Sequence, residues 1–201
     1  MELLDYVRQH AREGDANAVI AAIDAFSTAH GGMIHLGPEK GELFDQVVAG
    51  SGALRVLELG TNYGYSALRM SNHLASAARV RTVEIDRDTA QTAEAIIAHA
   101  GRAEQIEVIC GQASDVLPTF TENFDLVFID HTPGNYLVDL EGIERLDLLR
   151  QGGTLISDNV LVFERQLEPY LRHLRTSRRY DSRKLEPSPG ADAIEVSIRL
   201  R

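Results

Sequence analysis

Two acids and an amide stand where apolar runs of the chain stop: Asp130 after FDLVFI, and Asp158 with Asn159 after GTLIS. Two carboxylates and an amide oxygen are hard donors, a set suited to Mg²⁺ with water or substrate oxygens completing an octahedron. Lacking a thiolate, they make a poor zinc site. A further acid, Glu84, closes RVRTVE twenty-four residues after Gly60. Gly60 opens Gly60-Thr61-Asn62-Tyr63-Gly64, a G-x-x-x-G loop leading into a helix, whose free amides can receive a carboxylate or other anion. A pyrophosphate needs the closer approach of G-x-G-x-x-G, which disfavours a nicotinamide cofactor. An acid at the end of the second strand can accept both hydroxyls of a ribose. Loop and acid together point to a nucleoside cofactor without a pyrophosphate. Taken singly, the glycines could be a turn and the acids helix caps. However, Asp86 already supplies a cap beyond Glu84, and Asp158-Asn159 would lie next to Asp130 in neighbouring strands.

Such convergence needs a particular scaffold. From Leu54 onward, short apolar runs (LRVLEL, RVRTVEI, IEVIC, FDLVFID, GTLISD) alternate with amphipathic stretches near Ser66–Leu74, Asp88–Ala100, Ser114–Phe120 and Tyr136–Leu149. Strands alternating with helices make βαβ units, hence a parallel sheet covered on both faces. After a helix near Glu164–Arg175, RRYDSRKLE and DAIEVSIRL are joined only by PSPGA. That leaves no room for a crossover, so they form an antiparallel hairpin. The first 50 residues read as helical. Leu3, Leu4 and Val7 share a face; Asp15 can cap a segment carrying Val19, Ile20, Ile23 and Phe26. A helix from Pro38 to about Val48 turns Leu43, Phe44 and Val47 inward. The expected architecture is a doubly wound α/β sheet with an antiparallel edge, where ligands bind beyond the carboxyl ends of the strands. Residues 1–50 form a helical cover and 51–201 a Rossmann-like core, within one domain.

Composition narrows the function further. The chain has 201 residues, 30 acids against 20 Lys and Arg, and a formal charge of −10, which repels nucleic acid. The basic cluster Arg172, Arg175, Arg178, Arg179, Arg183 and Lys184 reads as the solvated end of a helix. No run approaches a membrane span and no signal segment opens the chain. The single cysteine, Cys110, fits a reducing compartment. A cytoplasmic enzyme with a small-molecule substrate, binding neither nucleic acid nor membrane, is the expectation.

Several motifs in order (QHAREGDANAVIAAID, VLELGTNYGYSALRM, LVFIDH followed by Tyr136-Leu137, and LLRQGGTLISDNV) resemble the Mg²⁺-dependent catechol O-methyltransferases, class I S-adenosylmethionine (AdoMet) enzymes, over nearly the whole length. The resemblance implies a seven-stranded sheet of order 3-2-1-4-5-7-6 with the last strand antiparallel. It implies that Glu58, Gly60, Tyr65 and Ser66 serve the methionine portion of AdoMet, Glu84 and Ile85 the ribose and its surroundings, and Gly111, Ala113 and Ser114 the adenine. Ile34 and Leu36 would line the cofactor side of the N-terminal loop, with Asp130 and His131 beside the cofactor. Asp130, Asp158 and Asn159 would hold Mg²⁺. Glu186 would orient the reacting ring edge, with Asp130, Asn159 and Phe163 also facing substrate.

The chain departs from the family at its general-base lysine, three residues after the first metal aspartate, where Pro133 stands. Only two lysines occur, Lys40 and Lys184, and neither aligns with it. Either the metal suffices, another base substitutes, or catechol turnover is weak. His35 and His131 are the replacement bases by type, with an ordinary pKa near 6.5; the favoured alternative is that both are positional or solvent-facing. At the family's aromatic and proline walls stand Gly32, Thr132 and Phe163, which implies a wider, less ring-selective pocket. The competing readings are methylation of a sugar or other vicinal hydroxyl of a secondary metabolite, and an AdoMet-binding protein whose chemistry went with the lysine.

Overall fold

The computed structural model describes residues 2–31 and 35–200. Three helices come first: α1 (Leu3–His10), α2 (Ala16–His30) and α3 (Gly37–Ser51). Asp15 starts α2 by accepting the Ala18 amide at 3.0 Å, satisfying a donor that the first turn leaves free. Gly52, at φ +59°, ends α3 in the left-handed conformation. The strands are β1 (Arg55–Leu59), β2 (Arg79–Glu84), β3 (Ile106–Cys110), β4 (Phe124–Ile129), β5 (Leu149–Ser157), β6 (Tyr180–Leu185) and β7 (Ile194–Arg199). They are interleaved with α4 (Tyr65–His73), α5 (Arg87–His99), α6 (Ala113–Val116), α7 (Tyr136–Arg145) and α8 (Glu164–Thr176).

One seven-stranded sheet has the order β3-β2-β1-β4-β5-β7-β6. Strands β1 to β5 pair in parallel, and β7 runs antiparallel to both β5 and β6. Side chains alternate between faces. Val56, Leu126, Phe128 and Ile156 pack under α3, α4 and α5, with α1 and α2 outside them. Leu57, Leu59, Val127, Ile129 and Leu155 pack under α7 and α8. Burial on both faces is why these strands read as nearly continuous apolar runs.

Two elements differ from the sequence expectation. The helix expected over Tyr136–Leu149 stops at Arg145, and Leu149 opens β5, four residues before the Gly153 start read from the sequence. Asp147 adopts φ +53°; its amide bonds Glu144 O and the Leu148 amide bonds Ile143 O. That double bond is a Schellman closure, with aspartate in the place usually held by glycine. The helix expected over Ser114–Phe120 is one α-turn followed by a 3₁₀ turn, Leu117–Thr119, because Pro118 has no amide to continue it.

Strand order reverses between β1 and β4, so a crevice opens beyond their carboxyl ends. Helix α3 hangs over it. Phe44 of α3 meets Phe128 of β4 with ring centroids 4.7 Å apart, an aromatic contact of about 0.5–1.5 kcal/mol beyond simple burial. On the same inward face one turn earlier sits Lys40, only 7% exposed.

Candidate active site

The loop after β1 is shaped by one close approach. Gly60 has φ +103°, and a Cβ there would lie 2.1 Å from the backbone carbonyl oxygen of Asp130. The crossing is pinned from both sides: the Asp130 amide donates to Leu59 O at 2.8 Å and the Gly60 amide to Val83 O at 3.0 Å. Asn62, at φ +48°, then donates its amide to Glu84 Oε2 at 2.8 Å, while the Asp86 amide donates to Glu84 Oε1 at 3.0 Å. Each carboxylate oxygen of Glu84 is thereby fixed yet retains a lone pair. Asp86 caps α5, accepting the Thr89 amide at 2.8 Å, so Glu84 is not needed as a cap. A cavity of about 300 Å³ opens from this point, lined by Gly60, Glu84, Gly111 and Ala113 through Ser114 and by Asp130 and His131. Ile85 and Val138, 69% and 61% exposed, present bare apolar surface to it.

A narrower extension runs between Leu36, Gly60, Tyr65, Ser66 and Asp130. At its end Ser66 donates its hydroxyl to Glu58 Oε1, and Glu58 Oε2 is buried without a hydrogen-bond partner among the described residues. Burial pushes the Glu58 carboxyl up to about 7, beyond what the Ser66 and Thr82 hydroxyls offset. Glu58 is wholly buried behind Ser66, which lines the extension, and a carboxylate so placed favours a cationic amine nearby. Glycine loop, the Glu84 carboxylate, apolar rim and the buried Glu58 are of the kinds that AdoMet's carboxylate, ribose, adenine and amine would need.

Beyond β4 and β5 lie the oxygen donors. Asp158 is 1% exposed, and Asn159 takes φ +58°, a left-handed conformation that asparagine tolerates. The Asn159 amide nitrogen donates to Asp192 Oδ2 at 2.9 Å, which turns its oxygen the other way. Burial, and next the charge of Asp158, raise the Asp130 carboxyl well above its ordinary value. Burial likewise lifts Asp158 to about 6, even though Lys40 pulls it down. Asp158 Oδ1 lies 2.6 Å from Lys40 Nζ but accepts no well-aligned hydrogen bond. Two carboxylates whose ionisation burial disfavours and an amide oxygen turned away from Asp192 would be relieved by a divalent cation, so the residues fit one. Among the described residues, no group of three His, Cys, Asp or Glu is gathered to hold a metal. A site here therefore has to use the asparagine oxygen.

Lys40 is the functional residue that the sequence reading passed over. Its ammonium sits between Asp158 and Asp192, at 2.6 and 2.5 Å. Burial pulls its pKa down, but the two carboxylates outweigh that and hold it above the ordinary lysine value. The signal was available: Lys40, Phe44 and Val48 recur at helical spacing, placing a lysine on an apolar stripe. Asp192 also accepts the amides of Leu161 and Val162, at 3.3 and 3.1 Å, and so ties helix α3 and the loop after β5 to its own loop before β7.

The remaining candidates are placed as follows. His35 Nδ1 accepts the Gly37 amide at 3.0 Å, and its ring lies 4.5 Å from that of Tyr65. Burial lowers its pKa, with Arg69 and Lys40 acting in the same direction against Asp24. His131 lines the cofactor cavity with Nε2 2.9 Å from Asp139 Oδ2. Glu186 follows β6 and pairs with Lys184. Phe163 precedes α8 and packs against the apolar core on that side. Pro133 begins a 3₁₀ turn, Pro133–Asn135, which carries no ionisable side chain, and Thr132 borders the cofactor cavity. Ile34 and Gly32 lie outside the described residues. A second cavity, about 430 Å³ and open to solvent, lies between Leu36, Pro38, Lys40, Asn159, Pro187 and Asp192. Of the oxygen donors, Asn159 lines it.

Sheet order and cofactor cleft define a Rossmann-like AdoMet-dependent methyltransferase. Comparison with known proteins agrees. The O-methyltransferase family model matches residues 16–186. The chain is 38% identical to catechol O-methyltransferase B of Danio rerio, covering 98% of this chain and 78% of that protein. It is 34% identical to catechol O-methyltransferase of Bos taurus, covering 98% and 75%. The O-methyltransferase of Bacillus cereus, solved in complex with SAH, superposes with a TM-score of 0.75 at 25% identity, over 98% of this chain and 90% of that one. The chain belongs to the O-methyltransferase family and is an O-methyltransferase enzyme.

Proposed function

We propose that this enzyme is Mg²⁺-dependent and methylates one hydroxyl of a catechol-type ortho-diphenol. The observation that carries the reading is the oxygen set of Asp130, Asp158 and Asn159, lying between the cofactor cleft and the solvent-open cavity. Identity with named catechol O-methyltransferases supports the substrate class. AdoMet supplies an electrophilic methyl on its sulfonium, and Mg²⁺ supplies the Lewis acidity that makes a catechol hydroxyl easier to ionise. Glu84 fixes the ribose end, Glu58 the amine end, and the Gly60–Asp130 crossing the distance between cofactor and donors. Holding the reacting atoms in line in this way accounts for much of such catalysis.

Among the described residues, neither the position of the family's lysine nor His35 offers a base for the hydroxyl proton. Pro133 cannot take it, and the lone pair of neutral His35 at Nδ1 is already engaged by Gly37. The proton leaves to water through the open mouth beside Pro38 and Glu39. By the sequence resemblance Gly32 and Thr132 replace bulky wall residues, which favours diphenols bulkier than a plain catechol. The test is methyl transfer from AdoMet to a panel of catechols and bulkier ortho-diphenols, with Mg²⁺ and then with EDTA, read by product mass. Turnover that disappears in EDTA and in Asp158→Ala is expected; turnover indifferent to both would overturn the metal reading.

A further inference from the structure

The buried ammonium of Lys40 occupies ground that the metal reading assigns to a divalent cation. It lies 2.6 Å from Asp158 Oδ1 and 2.5 Å from Asp192 Oδ2 and is 7% exposed. A Mg²⁺ ion holds its oxygens at about 2.0–2.1 Å. Two cations on one carboxylate oxygen would thus sit less than about 5 Å apart, out of reach of screening by bulk salt. Asp158 Oδ1 cannot serve both well.

We propose that Lys40 is a tethered cation that competes with the metal for Asp158, and that Asp192 is the positioning residue that draws Lys40 aside and aims Asn159; this rests on the metal reading above. Asp192 is suited to both tasks because the same Oδ2 holds Lys40 Nζ and accepts the Asn159 amide nitrogen. The Leu161 and Val162 amides fix its other oxygen. Helix α3 is anchored by Phe44 against Phe128, so Lys40 is held near the site whatever its partner. Its flexible four-carbon stem still allows the ammonium to pass from Asp158 to Asp192 without moving the helix. Without the metal, Lys40 neutralises a carboxylate pair that would otherwise be buried unpaired. With the metal, it weakens affinity, so that loading requires a higher ion concentration than the bare donors would need.

The experiment titrates Mn²⁺ into the whole protein without AdoMet or substrate, counting free ion by electron paramagnetic resonance, with a thermal melt of each variant. Lys40→Met is expected to bind Mn²⁺ about tenfold more tightly, equivalent to about 1.4 kcal/mol, while melting lower in the absence of metal. Asp192→Asn is expected to bind more weakly, and adding Lys40→Met to it is expected to recover affinity. A merely structural role would weaken binding in every variant. If Lys40→Met does not fold, Lys40→Gln carries the same expectation. Wild-type binding with unchanged or weaker affinity in the folded Lys40 variant overturns the competition. Absence of Mn²⁺ binding in all forms overturns the metal reading itself, and the inference with it.

Discussion

Replacing Gly60 with alanine probes the joint between the cofactor cleft and the Asp130 loop. The new methyl carbon would lie 2.1 Å from Asp130 O and 2.7 Å from its carbonyl carbon. A carbon–oxygen contact needs about 3.3 Å, so the two loops must part by about 1 Å. Overpacking of this kind costs about 1–3 kcal/mol, and placing a Cβ at φ +103° adds about 1–2 kcal/mol. The total, roughly 2–5 kcal/mol, corresponds to a melting temperature lowered by roughly 5–15 °C in a chain of this size. Gly52→Ala is the control, because Gly52 also has positive φ but a Cβ there meets nothing within 4 Å; it should lose only a few degrees. Because Asp130 moves, AdoMet affinity should fall in Gly60→Ala and not in Gly52→Ala. A displacement of about 1 Å at the reacting centre can cost 10²-fold in turnover. Scanning calorimetry and isothermal titration with AdoMet read both effects. Gly60→Ala melting no lower than Gly52→Ala, with unchanged AdoMet affinity, would refute the close-approach reasoning.

Three further outcomes follow from the geometry. The Glu58 carboxyl is raised from 4.5 to about 7 by burial, so the folded protein holds that proton more tightly than the unfolded one. Its stability contribution is complete below pH 4.5 and is lost as pH rises through 7, by about 3 kcal/mol; Glu58→Gln should flatten that part of the melting profile, and an identical pH slope would exclude it. Asp86→Ala removes the cap on α5 at a cost of about 1 kcal/mol but spares the backbone amide on Glu84, so thermal stability should drop while AdoMet affinity holds. His35→Ala should leave the pH profile of kcat unaltered, since its Nδ1 lone pair is engaged by Gly37; disappearance of a limb below pH 6.5, where burial places this histidine, would restore it as the base.

What sequence reading could reach was local in character. Strand ends show themselves because an apolar run stops at Glu84, Asp130 or Asp158, and the glycine loop lies within a few residues of them. The hairpin of β6 and β7 followed from chain length alone, and the caps Asp15 and Asp86 from residue type. The end of α7 was misplaced because Asp147 carries no glycine-like signal for the left-handed turn it makes. Lys40 and Asp192 escaped for another reason: they meet across 152 residues, and nothing local to the segment SPGAD announces a partner. The one hint, a lysine in register with Phe44 and Val48, is easily overlooked when only apolar positions are sought on a helix face.

The 3₁₀ turn Pro133–Asn135, beside the cofactor cavity, carries no ionisable side chain, and under the proposed diphenol chemistry this bears on which compounds the enzyme would prefer. With proton removal left to water, turnover at a fixed pH tracks how readily the substrate's own hydroxyl ionises. Under that proposal, diphenols bearing electron-withdrawing groups would be favoured at neutral pH, and electron-rich ones would catch up only in alkaline solution. The ranking of substrates would be written in their acidity constants as much as in the shape of the pocket.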